Sequence, residues 1–392
     1  MSRVLSVSTS RADVGILAPV WRVLAGDHGM ELHVLLSGAH ENDEALAENY
    51  LPEAARVHRG GADLAGRPAP QAAAAVPEIA AAMVRAIDLA APDSVMVIGD
   101  RLDMLPAAVA TLAYNLPLIH LHGGESSEGA VDERIRHAVS KLAHLHCAAS
   151  VDAAARLNRM GEEAWRIEVT GAPGLDSLLA ASDLSAADLA VELGISNGDD
   201  FILATVHPET NASDPFAPLK AVFAAVDAAR RPTVITAPNA DPGGAEMRSH
   251  IDAFAAARPW VIFRDTLGVR LYANAMRFAG VMLGNSSSGI VEAGLFNLPV
   301  INVGGRQEGR ACGSNVHHCD SDAAAIVRLL DSVRGPADLP RRPTLSLYGD
   351  GHAAPRIAAV VAGAQAGRER LLKKRSSGEC GSFTAPWTLA AA

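Results

Sequence analysis

Short runs of apolar, β-prone residues alternate with Ala-rich amphipathic stretches along most of the chain, and this rhythm constrains the fold more than any other feature. In the first half Val4–Ser8 precedes a helical stretch at Ile16–Ala25, Leu32–Leu36 precedes one near Val76–Leu89, and Ser94–Ile98 precedes Met104–Ala113, with Leu118–Leu121 following. Strands separated by helices predict a parallel sheet with right-handed crossovers. A turn cluster at Thr170–Gly174 and a polar stretch over Ser182–Asp200 interrupt the series before it resumes at Phe201–Thr205. From there strands Thr233–Thr236, Trp260–Phe263, Ala279–Leu283 and Val300–Val303 alternate with helices Pro215–Ala229, Ala245–Ala257, Val269–Ala275 and Gly289–Phe296. The chain therefore reads as α/β, with two doubly wound Rossmann-like domains over 1–180 and 186–345, a returning helix over 346–366 and a flexible tail over 367–392. Two such open sheets are expected to leave a central cleft at the carboxyl ends of their strands, where ligands of this architecture bind.

Composition removes several classes of function. Apolar residues make up 49% and charged residues 20%, enough burial to exclude wholesale disorder. The balance of 34 Lys plus Arg against 44 Asp plus Glu gives a net charge of −10 with no basic stripe, which excludes a nucleic-acid partner. No run approaches about 18 uninterrupted apolar residues, so the expectation is a soluble, cytoplasmic protein without a membrane partner. Four cysteines without a Cys-x-x-Cys pair argue against a disulfide scaffold, and Cys312, His317, His318 and Cys319 fit no usual zinc spacing, so no metal is expected. An anionic ligand has to be met locally, by a few Arg side chains and backbone N–H groups, against an overall repulsive field.

Several strand-end clusters carry residues suited to that task. Ser8–Gly15 places Ser10, Arg11 and Asp13 between a strand and a helix, as a phosphate turn or an ordinary helix cap. Gly99-Asp100-Arg101 ends a strongly apolar strand and delivers an acid and a base to its rim, or a plain surface ion pair. His122-Gly123-Gly124-Glu125, followed by Glu128 and by Asp132, Glu133 and Arg136 on the next helix, gathers carboxylates and an imidazole for acid and base roles. Asp132 or Glu133 could instead serve the helix N-terminus, and Arg136 and Lys141 read as solvated. His207 stands at the end of the second domain's first strand, just before Pro208. Gly284-Asn285-Ser286-Ser287-Ser288-Gly289 suits a diphosphate, with Glu292 one turn into the helix for ribose hydroxyls, and Arg306 and Arg310 add guanidinium groups nearby. The spacing is not that of a P-loop and its Lys is missing, which disfavours an ATPase.

Taken in order, Ser10–Asp13, Gly99–Arg101, His122–Glu125, Asp132-Glu133 with Arg136-His137, Gly284–Gly289 with Glu292, and Arg306–Arg310 resemble the hydrolysing UDP-N-acetylglucosamine 2-epimerases. The turn Pro238-Asn239-Ala240-Asp241 and the element Tyr348-Gly349-Asp350-Gly351 fit as well, and the likeness spans about residues 3–365. The resemblance implies the glycosyltransferase B-type architecture, with the nucleotide held by the C-terminal domain. It implies loss of the C2 proton and of UDP to leave a glycal, hydrated to free N-acetylmannosamine without nicotinamide, metal or other cofactor. Carried over, Arg11, Arg101, Ser286, Ser287, Glu292 and Arg306 bind the nucleotide sugar, with Tyr272 beside the base, while Asp100, Asp132 and His207 lie at the sugar. Relatives in the sialic-acid branch carry Glu-Gly-Gly where this chain has His122-Gly123-Gly124, and its Glu125–Asp132 stretch is one residue longer, which leaves Glu125 or Glu128 to fill the role of the missing Glu, with His122 itself a candidate catalytic residue. Family members acting on 2,4-diacetamido-2,4,6-trideoxy sugars toward legionaminic acid fit equally, a GDP-linked substrate is an alternative to the UDP-sugar, and a homo-oligomer, dimer or tetramer, is implied. The competing readings are a non-hydrolysing epimerase, a B-type glycosyltransferase and a non-catalytic nucleotide-sugar sensor.

Overall fold

Strands buried on both faces are continuous apolar runs, and the chain pairs its runs into two all-parallel sheets. The computed structural model describes residues 2–387 except 27–28, 41–42, 44–48, 65–66, 127–130, 197, 199, 211, 240–242 and 334–345. It divides into a first unit, residues 1–177 with 351–392, and a second, residues 178–350.

The first unit carries β1 (Arg3–Ser8), α1 (Arg11–Ala25), β2 (Glu31–Leu36), β3 (Arg56–Arg59), α2 (Ala69–Ala90), β4 (Ser94–Ile98), α3 (Met104–Ala113) and β5 (Leu118–Leu121). It continues through α4 (Val131–Leu142), β6 (Leu145–Ala148), α5 (Val151–Arg159) and β7 (Ile167–Val169), and the chain passes to the second unit within α6 (Gly174–Ala180). Its seven strands lie in the order β3-β2-β1-β4-β5-β6-β7, so the winding reverses between β1 and β4. Trp21 of α1 is fully buried and donates its indole N–H to Ser6 Oγ at 2.9 Å, which fixes the helix on the sheet.

The second unit follows with α7 (Ala186–Leu193), β8 (Ile202–Thr205), α8 (Ala217–Ala229), β9 (Thr233–Thr236), α9 (Gly244–Ala256), β10 (Val261–Arg264) and α10 (Gly268–Phe278). After these come β11 (Val281–Gly284), α11 (Ser287–Val291), a 3-10 turn (Ala293–Phe296), β12 (Val300–Val303), β13 (Val316–Cys319) and α12 (Ala323–Ser332). Its sheet has the order β10-β9-β8-β11-β12-β13 and reverses between β8 and β11. Ligand crevices in such sheets form at the carboxyl ends of the strands flanking the reversal. The strand-end clusters at Ser8–Ser10, Gly99–Arg101, Thr205–His207 and Gly284–Ser286 occupy those four ends.

The chain then returns to the first unit as α13 (Ala353–Ala366) and α14 (Arg368–Leu372). Asp176 accepts from the N–H groups of Ala353 and Ala354 at 2.9 and 2.7 Å, meeting the positive end of α13. Ile357, Ala358 and Val361 join the core of the first unit with Leu17 and Trp21. A flexible tail is expected beyond 366; its described part runs largely exposed but is anchored at particular points. Trp387 is 2% exposed against Ala153, Leu157 and Val169, and the N–H groups of Ser377 and Gly381 donate at 2.8 Å to Gly161 O and Asn158 Oδ1. One large aromatic and isolated backbone pairings hold this segment, and neither leaves a periodic trace in a sequence. Among the described residues, no helix is long and apolar enough to cross a membrane.

Candidate functional site

The carboxyl ends of β4 and β5 are neighbours, with Ile98 opposite Leu121, and two turns rich in positive φ carry the chain off them. Gly123 and Gly124 allow the second turn to lie flat on its supports. A Cβ on Gly123 would stand 2.8 Å from His120 Nδ1, and one on Gly124, with φ +79, would stand 2.2 Å from Ala153 O. Arg156 of α5 clamps the turn by donating to Gly124 O at 2.5 Å.

This turn sets His122 against Glu125, with Nδ1 and Oε1 2.6 Å apart. The carboxylate accepts, so Nδ1 carries a proton, and Nε2 is the ring nitrogen that faces away from Glu125 and can act as a base. Nε2 is buried and has no hydrogen-bond partner among the described residues. Across the site Arg136, with 4% of its side chain exposed, donates to Asp100, to Glu133 Oε2 at 3.1 Å and to Glu125 O at 2.9 Å. The expectation that Arg136 is solvated is thus corrected: acceptors on two strand-end turns, Asp100 and Glu125 O, and Glu133 on its own helix draw the guanidinium inside. Lys141 pairs with Glu162 at 2.6 Å while staying half exposed.

Arg101 turns to Asp103, 3.3 Å away. Burial disfavours its charge, but the carboxylates of Asp103, Asp13 and Asp132 outweigh it and hold the guanidinium pKa above its usual value. Asp132 is exposed on the first turn of α4. Ser10 and Asp13 form a reciprocal capping box at the start of α1, the helix-cap alternative for this turn. The side chain of Arg11 lies outside the described residues, as do Glu128, Ala240 and Asp241.

His120 is a site residue that sequence reasoning missed. It lies wholly buried in β5, with Nε2 2.8 Å from Gly99 O and Nδ1 3.1 Å from Ser140 Oγ, and burial pushes its pKa down to about 3. A neutral ring thereby ties the Gly99–Asp100 turn to α4. A lone histidine inside an apolar strand reads as core, and only the fold shows what it holds.

The second unit builds its own cluster around Asn285. Gly284, with φ +139, passes so close to β8 that a Cβ would stand 1.9 Å from Thr205 O. Asn285 accepts from the His207 N–H at 2.7 Å and donates to His207 O at 2.9 Å, locking the ends of β8 and β11 together. The His207 ring accepts at Nδ1 from the Asn239 N–H at 3.1 Å, which leaves the proton on Nε2, the opposite tautomer to His122.

Ser286 caps α11 by accepting from the Ser288 N–H at 3.3 Å, so the helix starts at Ser287, not Gly289, and Glu292 stands at its end rather than in its first turn. There Tyr272 Oη lies 2.8 Å from Ser288 Oγ, which in turn donates to Glu292. Burial pushes the Tyr272 and Glu292 pKa values up. Ser287 follows Ser286 at the same strand end, half-buried. Arg306 reaches Asn285 O at 3.4 Å, and its backbone N–H donates at 3.0 Å to Glu209, an acid that sequence reasoning also missed. Each unit thus brings together its own share of the expected residues. In the first unit these are Asp100, Arg101, His122, Glu125 and Asp132; in the second they are His207, Tyr272, Ser286, Ser287, Glu292 and Arg306.

Set against known proteins, residues 22–362 match the family model described as UDP-N-acetylglucosamine 2-epimerase. The chain is 34% identical over 355 residues to a UDP-N,N'-diacetylbacillosamine 2-epimerase (hydrolyzing) of Legionella pneumophila, covering 89% of this chain and 92% of that one. It is 30% identical to a UDP-N-acetylglucosamine 2-epimerase of Neisseria meningitidis, covering 83% of this chain and 86% of that one. Among solved structures, the UDP-GlcNAc 2-epimerase from Neisseria meningitidis bound to UDP-GlcNAc superposes with a TM-score of 0.76 at 17% identity, over 92% of this chain and all of the other. S. aureus MnaA in its UDP co-structure gives 0.71 at 18% identity, over 97% of this chain and all of the other.

Proposed function

This chain belongs to the UDP-N-acetylglucosamine 2-epimerase family, and from that premise we propose that it is a hydrolysing 2-epimerase acting on a UDP-linked 2-acetamido sugar, UDP-N-acetylglucosamine or its 2,4-diacetamido-trideoxy analogue. The observation that carries this reading is the His122–Glu125 pair beside Asp100 and Arg136, a base of defined tautomer among carboxylates at one strand-end rim.

In the proposed reaction the UDP moiety is held by Ser286, Ser287 and Arg306, with Glu292 on the ribose and Tyr272 beside the base; Arg11 and Arg101 supply further positive charge. His122 Nε2 takes the C2 proton. The C2–H electron pair becomes the C1–C2 double bond of a glycal, and the bond from C1 to the diphosphate oxygen breaks to release UDP. Water then adds across the double bond, hydroxyl to C1 and proton to the opposite face of C2, giving the free 2-epimeric sugar. Glu125 orients His122, Asp100 and Asp132 deliver and accept protons at water and glycal, and the His207 Nε2–H donates to the departing oxygen. The overall balance is UDP-sugar plus water to UDP plus free sugar, with no cofactor. Similarity to a relative whose name includes hydrolyzing supports the hydrolytic outcome.

The test is incubation in deuterated water with UDP-N-acetylglucosamine, its 2,4-diacetamido analogue and a GDP-linked counterpart, followed by NMR. Release of UDP together with a free, C2-deuterated manno-configured sugar is expected. Formation of the UDP-linked epimer without net UDP release would make the enzyme non-hydrolysing, and transfer only in the presence of an acceptor would make it a transferase.

A further inference from the structure

The family match ends at residue 362, yet the chain continues across the first unit, and one side chain of that continuation reaches the C-terminal end of α4, the helix whose first turns meet the candidate acid–base cluster. Lys374, with 17% of its side chain exposed, donates to Ser140 O at 3.1 Å, Lys141 O at 2.8 Å and Ala143 O at 2.5 Å. The first two are carbonyls of the last turn of α4 and the third follows it directly, where a cation also meets the negative end of the helix dipole. The same ammonium lies 2.7 Å from Glu162, which is fully buried and also bonded to His146 at 3.0 Å.

Ser140 is the junction. Its carbonyl is held by Lys374, while its hydroxyl lies 3.1 Å from His120 Nδ1, and His120 Nε2 in turn lies 2.8 Å from Gly99 O. Asp100 follows Gly99 directly and is clamped by Arg136 on the N-terminal half of α4. One helix thus meets the post-family segment at its last turn and the acid–base cluster at its first two.

We propose that Lys374 is a positioning residue for the acid–base cluster, pinning the C-terminal end of α4 so that Ser140 and His120 hold the Gly99–Asp100 turn in register. The effect on turnover rests on the epimerase reading; the mechanical link from Lys374 to His120 does not. The second anchor of the same segment, Trp387, packs on Ala153 and Leu157 of α5, the helix that carries Arg156 to Gly124, and so buttresses the neighbouring turn.

The experiment compares Lys374→Met, Lys374→Arg, Ser140→Ala and the Lys374→Met/Ser140→Ala pair in the full chain, with Arg248→Ala on the exposed Arg248–Asp265 pair of the second unit as control. Two readouts are taken: kcat and KM for the nucleotide sugar, and the ring signals of His120 in 15N-histidine NMR. Lys374→Met is expected to lower kcat about 10- to 100-fold, as loss of register does, with little change in UDP affinity. It should also shift the His120 signals, which the control leaves in place. Lys374→Arg is expected to restore both, and the double variant to be no worse than the weaker single, as expected of two residues acting through one link. His120 signals unchanged in Lys374→Met, or losses that simply add in the double variant, overturn the proposal. The histidine signals decide the matter even if the wild-type chain turns over no nucleotide sugar, a result that sinks only the epimerase reading.

Discussion

His120 and His122 stand two residues apart at one strand end, and their surroundings give them opposite tasks. His120 spends both ring nitrogens on Gly99 O and Ser140 Oγ and is kept neutral by burial, whereas among the described residues His122 spends only Nδ1, on Glu125. Only the second has a nitrogen to offer to a substrate. Replacing it by His122→Gln should cut kcat about 100-fold or more, the usual loss on removing a general base, with UDP affinity retained. Glu125→Gln, which can no longer fix the tautomer, should fall between that variant and the wild type. Steady-state kinetics beside calorimetric UDP titrations check both, and a His122→Gln enzyme with wild-type kcat sinks the assignment. The glycines around His122 made this turn legible in the sequence; the residues that support it were not, because His120, Ser140 and Arg156 come from three different elements and meet only in the fold.

At the scale of elements, the sequence was most readable where strands run through the middle of a sheet. Ser94–Ile98, Leu118–Leu121, Thr233–Thr236 and Val300–Val303 are mainly aliphatic or β-branched runs buried along their whole length, and their structural bounds coincide with the sequence reading. The outer strands β3 (RVHR), β7 (IEV) and β13 (VHHC) escaped it, as did the inner β6 (LHCA), since an edge strand carries polar side chains and strands of three or four residues have little period to detect. The junction of β11 with α11 shows a different kind of constraint, one of space. Gly284→Ala has to push Thr205 O out of the way, so it should destabilise the chain by at least about 2 kcal/mol and abolish UDP binding. Gly363→Ala, in the middle of α13 with open space at its Cβ, should be neutral or stabilising by about 0.5–1 kcal/mol. Urea denaturation with UDP titration distinguishes them, and equal behaviour of the two variants would contradict the packing argument.

On the scale of the whole molecule, buried titratable groups of the first unit tie its stability to pH. Burial pushes His120 down to about 3 and His144 to about 4, from an ordinary value of 6.5. As pH falls below 6.5 both rings stay neutral in the folded chain but take up protons once unfolded. Stability therefore declines on acidification, by on the order of 1 kcal/mol per pH unit for each ring. Below 4.5 Glu162 adds to the loss: burial opposes its ionisation, but His146, Lys141 and Lys374 outweigh burial and hold it at about 2. Urea midpoints measured from pH 7 to pH 4 should fall steadily, less steeply in a His144→Gln variant, and a flat profile would refute the account.

The first unit is assembled from both ends of the described chain, with α13, α14, Lys374 and Trp387 added to a body that otherwise ends at Ser177. On the ribosome that body emerges long before its closing pieces, which at about 5–20 residues per second follow some tens of seconds later. Throughout that interval the apolar face of α1 that α13 covers is open to the cytosol of whatever cell makes the protein. Holdase chaperones therefore have a defined client in the nascent chain, and shortening the gene at its 3′ end should show first as insolubility during expression, before any assay is run.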